Sequence, residues 1–312
     1  MDHLANTIFN LCYQFVIAFT FARAILARSI NYLCITILFM LTRYLGIVVI
    51  LLVFGHNAYG QWARGADKGY VQVSFGTATA SDQFNASRTI EQLGGLNDPQ
   101  RYSENAVYVY AELGLSEDVT FIGSTFYKDI TVQTRNGNLT TQGLSDLTLQ
   151  LRYTVYKSSA LVVSPEFGVR IPTGYDPDAS PPLGSGEADL FFTLNSGLSL
   201  YPIPGYFGAS IGTRLRGGAQ QDEIVGHFEA GYFVHPKLLI RGRFDGLEST
   251  TNSNNGFNVT NQVFEQGFFV TGPGITFLAS ERVQLSVDGR WTVAGRTSSQ
   301  LTNYLFGVAI LW

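Results

Sequence analysis

From Val71 to the last residue, the chain runs in segments of about ten residues in which apolar and polar side chains alternate with period two. The clearest case is Asp146 to Val155: Leu147, Leu149, Leu151, Tyr153 and Val155 share one face, and Asp146, Thr148, Gln150, Arg152 and Thr154 share the other. Successive side chains of a strand point to opposite faces, so each such segment is apolar on one side and wet on the other. The next segment repeats the pattern, with Leu161, Val163, Pro165, Phe167, Val169 and Ile171 against Ser164, Glu166, Gly168 and Arg170. Pro165 is the one discordant residue, because it removes a ladder donor and belongs at a bulge or an edge. No apolar run after Gly60 approaches the roughly 20 residues of a spanning helix.

Composition narrows the choice. Only 14% of residues are charged, against roughly 25% in an ordinary soluble domain. Phe 23, Tyr 16 and Gly 33 argue against a disordered chain, and a net charge of −4 gives no basic footprint for nucleic acid. The pattern predicts an all-β, transmembrane antiparallel up-and-down barrel of about 12 strands in the bacterial outer membrane. The strands are expected near 69–77, 105–115, 119–128, 145–156, 161–172, 187–200, 206–216, 223–234, 238–247, 263–278, 283–293 and 302–312. Tight turns at Ser116–Asp118, Lys157–Ala160, Tyr201–Gly205, His235–Lys237 and Ala279–Arg282 alternate with longer polar loops at 78–104, 129–144, 173–186 and 248–262. Short turns are periplasmic and long loops external in such barrels.

The last segment adds to this reading. Tyr304, Phe306, Val308, Ile310 and Trp312 alternate to the final residue, like the terminal strand that outer-membrane proteins present to the barrel assembly machinery. In a secreted sandwich such an edge would invite aggregation, whereas pairing with the first strand removes it. Lipid, the assembly machinery and a small-molecule solute are the expected partners.

The amino-terminal 60 residues are of a different kind. From Met40, a short segment carrying Arg43 precedes the apolar run Tyr44–Phe54, and Ala58-Tyr59-Gly60 supplies small residues before Gln61. This reads as a secretory signal peptide cleaved after Gly60, with residues 1–39 an upstream extension and 61–312 the barrel. Retention of the two apolar runs, Leu4–Phe21 and Ile30–Phe54, as a pair of transmembrane helices is the alternative, the second being long enough to span a bilayer. Cys12 and Cys34 both fall in this segment, so residues 61–312 hold no disulfide and no cysteine metal site; no cofactor is expected.

If the apolar stripe meets lipid, the opposite stripe collects Glu112, Asp146, Arg152, Glu166, Arg170, Glu187, Asp189, Arg214, Arg216, Glu229, Arg241, Arg243, Asp245, Asp288 and Arg290. Turning a Lys or Arg to lipid at the midplane costs about 2–4 kcal/mol, so this segregation is not accidental. The candidate lumen-lining residues are Asp146, Arg152, Glu166, Arg170, Asp189, Arg214, His227, Glu229, Arg241 and Arg290. Expected cross-strand contacts are Arg152 with Glu166 or Arg170, and Arg214 with Asp189 or Glu229. Two readings of these charges stand: ion pairs that brace a filled lumen, or a pore lining that steers polar solutes. Twelve strands fall between eight-stranded barrels with filled interiors and wide 16-stranded porins.

Three stretches carry a family resemblance: Gly143-Leu144-Ser145-Asp146-Leu147 followed by Arg152-Tyr153, then Val169-Arg170-Ile171-Pro172-Thr173-Gly174, then Gly184-Ser185-Gly186-Glu187-Ala188-Asp189-Leu190. With them, residues 143–246 resemble the phenol meta-pathway (MetA-type) family of outer-membrane barrels, distantly akin to hydrophobic-substrate channels. The resemblance implies passive passage of small, often aromatic or apolar compounds, and it transfers no binding residue. Residues 175–183, with three prolines and two aspartates, are expected to form a solvated loop, inward folding being the alternative.

Catalytic patterns are sparse. His227 and His235 are the histidines after Gly60, His235 in a turn and His227 on the polar stripe with Glu223 and Glu229, where a hydrogen-bonded lumen histidine is expected. No Gly-x-Ser-x-Gly elbow, metal-spaced histidine pair or phosphate loop occurs in 61–312. The expectation is a non-enzymatic passive channel. Its alternative is a non-conducting barrel acting through its external loops.

Overall fold

The computed structural model describes residues 64–251, 259–260 and 265–312. The expected signal sequence, both cysteines and most of the 252–264 stretch lie outside these. The barrel strands are β1 (Gly69–Ala80), β2 (Arg101–Gly114), β3 (Val119–Thr134), β4 in two halves (Gly137–Leu144 and Leu147–Tyr153), β5 (Leu161–Ile171), β6 (Asp189–Ser199), β7 (Gly205–Leu215), β8 (Glu223–His235), β9 (Leu238–Ser249), β10 (Gly267–Leu278), β11 (Val283–Arg296) and β12 (Thr302–Leu311). Each is antiparallel to its neighbours. β1 pairs with β12 from Tyr70↔Leu311 to Thr79↔Thr302, so the ring of twelve closes without a free edge.

The alternation sorts as expected. Phe75, Leu151, Phe167, Leu194, Ile211, Phe244, Phe269 and Val287 are exposed on the outside, while Ser74, Thr148, Arg152, Glu166, Asp189, Arg214 and Asp288 are buried toward the lumen. Such an inside-out distribution suits hydrocarbon around the wall and water within it. Aromatic contacts cross several strands of the outer face: Phe167–Phe192 at 4.9 Å, Phe207–Phe228 at 5.8 Å and Phe228–Phe244 at 6.2 Å.

Three sequence expectations change. Residues 129–144 are not a loop: β3 runs on to Thr134 and returns as the first half of β4 from Gly137, so Thr131, Leu139 and their neighbours form a hairpin above the wall. Its polar residues masked the strand pattern because neither face meets lipid. The second strand begins at Arg101 rather than 105, and the 81–100 connection holds two short strands, Asp82–Phe84 and Ile90–Gln92, that join Ser298–Ser299 in a small outer sheet. Glu187, expected in the lumen, is exposed and precedes β6.

Pro165 sits where it does least harm. β4 pairs with β5 only down to Arg152↔Glu166, and pairing resumes at Tyr156↔Val163, so the proline falls at the start of the break, where Tyr153 to Val155 leave the ladder. β4 has a second interruption at Ser145-Asp146, between its halves. Its upper half pairs with β3 but not with β5, whose ladder to β4 starts at Ile171↔Leu147. At the short-turn end, Tyr206, Phe233 and Leu239 form the one buried apolar cluster among the described residues, with Leu278 packed against it.

Candidate functional site

The lumen is lined by side chains that strand register brings together. On the β5–β8 wall, Arg170 is directly opposite Asp189, and Arg214 is opposite Glu223. Asp189, fully buried, lies 3.9 Å from Arg170, 3.9 Å from Arg214 and 3.7 Å from Arg216. Glu223 pairs with both Arg214 and Arg216. Sign alternates from strand to strand, so Asp189 is shared by guanidiniums on either side and Glu223 by two on its β7 side. Phe191 lies between them, with Arg170 5.2 Å and Arg214 5.8 Å from its ring centre.

Nearer the short-turn end, Arg152 Nε donates to Glu166 at 2.8 Å and its Nη1 reaches Glu112 at 3.4 Å. Arg64, which precedes β1 and lies outside any strand pattern, also pairs with Glu112 and stacks 4.7 Å from the centre of Tyr70. Across the lumen, Glu229 accepts from Arg243 at 2.8 Å and from the Tyr206 hydroxyl. Tyr206 reaches it by crossing Gly231, where any Cβ would collide with the ring. Arg241 does not pair with a neighbour in register. It crosses Gly274 of β10, and its Nη2 donates to both oxygens of Asp288 on β11 at 2.8 Å. A Cβ at Gly274 would strike both partners, so the missing side chain is what opens this bridge.

Of the contacts anticipated from sequence, Arg152–Glu166 and Arg214–Asp189 form. Arg214–Glu229 and Arg152–Arg170 do not, because Arg243 sits opposite Glu229 and Asp189 sits opposite Arg170. His227 is opposite Asp245, with Nδ1 and Oδ1 2.6 Å apart. Asp146, at the break in β4, accepts from the Tyr175 hydroxyl, which in turn accepts the Gly186 amide. Burial and that carboxylate push the Tyr175 hydroxyl well above the usual tyrosine range.

The 175–183 loop, expected in solvent, folds inward at its end. Pro181 and Leu183 are buried, and the Leu183 carbonyl accepts from Ser145 Oγ at 2.6 Å. The physical reason is the β4 break, which frees Ser145 and Asp146 to hold the loop. The three segments that carry the family resemblance thus meet at one place, where Thr173 Oγ1 also donates to the Leu144 carbonyl.

Two cavities lie along the lumen. The outer one, about 490 Å3, is walled by Arg170, Arg214 and Arg216 on one side and by Phe126, Leu247, Phe268, Val270 and Leu301 on the others. The inner one, about 690 Å3, is walled by Tyr70, Tyr108, Tyr110, Tyr206 and the charges from Glu112 to Arg290. Phe126 lines both. A third space, about 360 Å3, lies between the upper half of β4 and the 173–183 loop and shares Leu183 with the outer cavity. Tyr108 and Tyr110 share the parity of Glu112 and were legible on that ground. Asn303 shares the inward parity of the last strand but carries no charge to mark it, and Arg64 gave no sequence signal. Among the described residues no group of three or more His, Cys, Asp or Glu side chains is placed to hold a metal.

No protein-family model matches the chain, and no curated relative matches it. Among solved structures it is similar to the COG4313 outer membrane channel of Pseudomonas putida F1, 12% identical with a TM-score of 0.64, covering 83% of this chain and 100% of that one. Weaker likenesses are to the KdgM porin, 5% identical with a TM-score of 0.46 over 77% of this chain and 98% of that one, and to the CymD monoaromatic hydrocarbon channel, 8% identical with a TM-score of 0.41 over 79% and 83%. The first of these carries the fold: a closed twelve-stranded outer-membrane barrel.

Proposed function

We propose that this outer-membrane barrel is a passive channel for small solutes, and that its cargo is aromatic or otherwise largely apolar with a polar handle. One observation carries the reading: two cavities, about 490 and 690 Å3, follow one another along the lumen and share Phe126. A lumen filled by ion pairs alone would not leave that space. Each cavity sets ring or aliphatic surface beside guanidinium and carboxylate groups, the pairing an amphipathic aromatic solute needs. The resemblance to phenol meta-pathway barrels supports the same cargo class.

In this mechanism Arg152, Arg170, Arg214, Arg241 and Arg290 attract anionic handles while Asp146, Glu166, Asp189 and Glu229 limit dwell time. Diffusion is driven by the gradient alone, so no group changes covalently. The pore is non-enzymatic in this reading. Assembly uses the Tyr304–Trp312 strand as the recognition element for the barrel assembly machinery.

A second route is favoured by the β4 break. The upper half of β4 has no strand ladder to β5, only the Thr173 Oγ1 bond to the Leu144 carbonyl, and Leu183 alone lines both the outer cavity and the adjoining 360 Å3 space. An uncharged solute could leave sideways there without passing the ion-paired inner lumen.

The test is single-channel recording of the protein purified from outer membranes, with and without small aromatic acids, beside uptake of uncharged aromatics into vesicles carrying it. Discrete conductance blocked by an aromatic acid is the expected result. Silence with retained uptake would transfer the function to the wall route. Silence in both assays from a folded barrel would overturn the channel and leave a structural or partner-binding barrel.

A further inference from the structure

Arg290 differs from the other arginines of the lumen. Arg64, Arg152, Arg170, Arg214, Arg216, Arg241 and Arg243 each have a carboxylate within 4.0 Å. Arg290 has no ion pair and no side-chain hydrogen bond among the described residues; its Nε is buried without a partner, as are those of Arg170, Arg214, Arg216 and Arg241, but those four have a carboxylate and Arg290 does not. Register explains why. Its neighbour on β12 is Asn303, which is neutral, and the residue beside it on β10 is Gly272, which has no side chain. The ladder itself is interrupted there, because Pro273 cannot donate, and the β10–β11 pairing skips from Thr271↔Trp291 to Gly274↔Asp288.

The carboxylates in reach are all engaged elsewhere. Asp288, two residues earlier on the same face, is held at both oxygens by Arg241. Asp245 is held by His227, and Glu229 by Arg243 and Tyr206. Beside the unpaired guanidinium, Asn303 Oδ1 is also buried without a partner. Here, unlike at Arg214 and Asp189, the open donor belongs to a guanidinium with no counter-charge and the open acceptor is neutral, so a solute's carboxylate and hydroxyl can satisfy both.

Both groups line the inner cavity, and aromatic residues from the first two strands line it with them. The hydroxyls of Tyr108 and Tyr110 are tied to Glu104 and Glu112, and that of Tyr70 to Gln72, so these residues offer the cavity chiefly ring surface. Tyr70 and Tyr110 meet edge to face at 6.1 Å.

We propose that Arg290 and Asn303 form a binding site in the middle of the lumen for a small aromatic carboxylate that also carries a hydrogen-bond donor, such as a hydroxybenzoate. The guanidinium takes the carboxylate, the Asn303 carbonyl oxygen accepts from the hydroxyl, and the ring lies against the tyrosines. The site deepens the channel reading, rests on it for its purpose, and gives it one selective point instead of a general positive field.

The experiment is calorimetric titration of the folded, detergent-solubilised protein with meta- and para-hydroxybenzoate, benzoate and phenol, alongside block of single-channel current by the same probes. Arg290→Met should weaken both hydroxybenzoates and benzoate by at least about tenfold and leave phenol unchanged. Arg290→Lys should fall between. Asn303→Ala should weaken the hydroxybenzoates by about fivefold and leave benzoate as it was. Equal affinity in Arg290→Met and the parent would overturn the site even if current still flows, leaving the channel reading intact. Binding that follows these variants in a barrel that never conducts would overturn the channel and leave the site.

Discussion

On the β5–β8 wall, Arg170, Asp189, Arg214 and Glu223 meet their opposites on the next strand, whereas on the β9–β12 wall Arg241 must cross Gly274 to find Asp288 and Arg290 finds no partner. The same residue types therefore play unlike parts. Where register alternates sign, charges neutralise one another and stiffen the wall. Where Gly272 and Asn303 stand beside Arg290, and the carboxylate near it is taken by Arg241, a charge is left over and is available to a solute. Buried guanidiniums are ordinarily matched by a carboxylate, so the one that has none is the one to examine for ligands.

The paired wall depends most on the carboxylate that three arginines share. Asp189→Asn should destabilise the barrel by about 3–5 kcal/mol, because it leaves buried guanidiniums without a counter-charge; urea unfolding in lipid vesicles measures it, and a loss under 1 kcal/mol would mean the wall is wet and its pairs are loose. Gly274→Val should cost about 1–3 kcal/mol by overpacking and should separate Arg241 from Asp288. Asp288 is then free to turn to Arg290, so hydroxybenzoate affinity should fall although neither site residue has changed; unchanged affinity would show that Arg290 is not short of a partner for the reason given.

Replacing Arg241 and Asp288 together by Met removes a balanced pair, and should alter stability by less than about 2 kcal/mol and leave the reversal potential in a salt gradient unmoved. Arg290→Met alone should shift that potential toward cations. If the double variant shifts it more, the paired and unpaired sectors do not differ as described. The smallest effect belongs to the loop above the paired wall: Tyr175→Phe removes a hydroxyl that donates to Asp146, and should cost about 1 kcal/mol, seen as faster proteolysis within 173–188 at unchanged conductance.

How much of this could be read beforehand depends on which partner a residue answers to. Leu151 against Arg152, or Phe167 against Glu166, answers to lipid or water, and alternation reveals that directly. The twelve strands and the inward set of charges follow from it. The 137–144 half of β4 answers to neither, since it rises above the wall, and its polar sequence looked like a loop. Arg64 precedes the first strand, and only the fold carries it to Glu112. The inward turn of Leu183 needed the break at Ser145-Asp146, which the period of the sequence passes over without a mark.

The two faces, the short turns at one end and the closing terminal strand are written in the residue order, because each is fixed by the solvent a side chain must meet. Tertiary structure decided which charges cancel. Pairing depends on register between strands distant in the chain, and Arg290 lacks a carboxylate only because Asn303 and Gly272 come to stand beside it while Gly274 lets Arg241 reach Asp288 first.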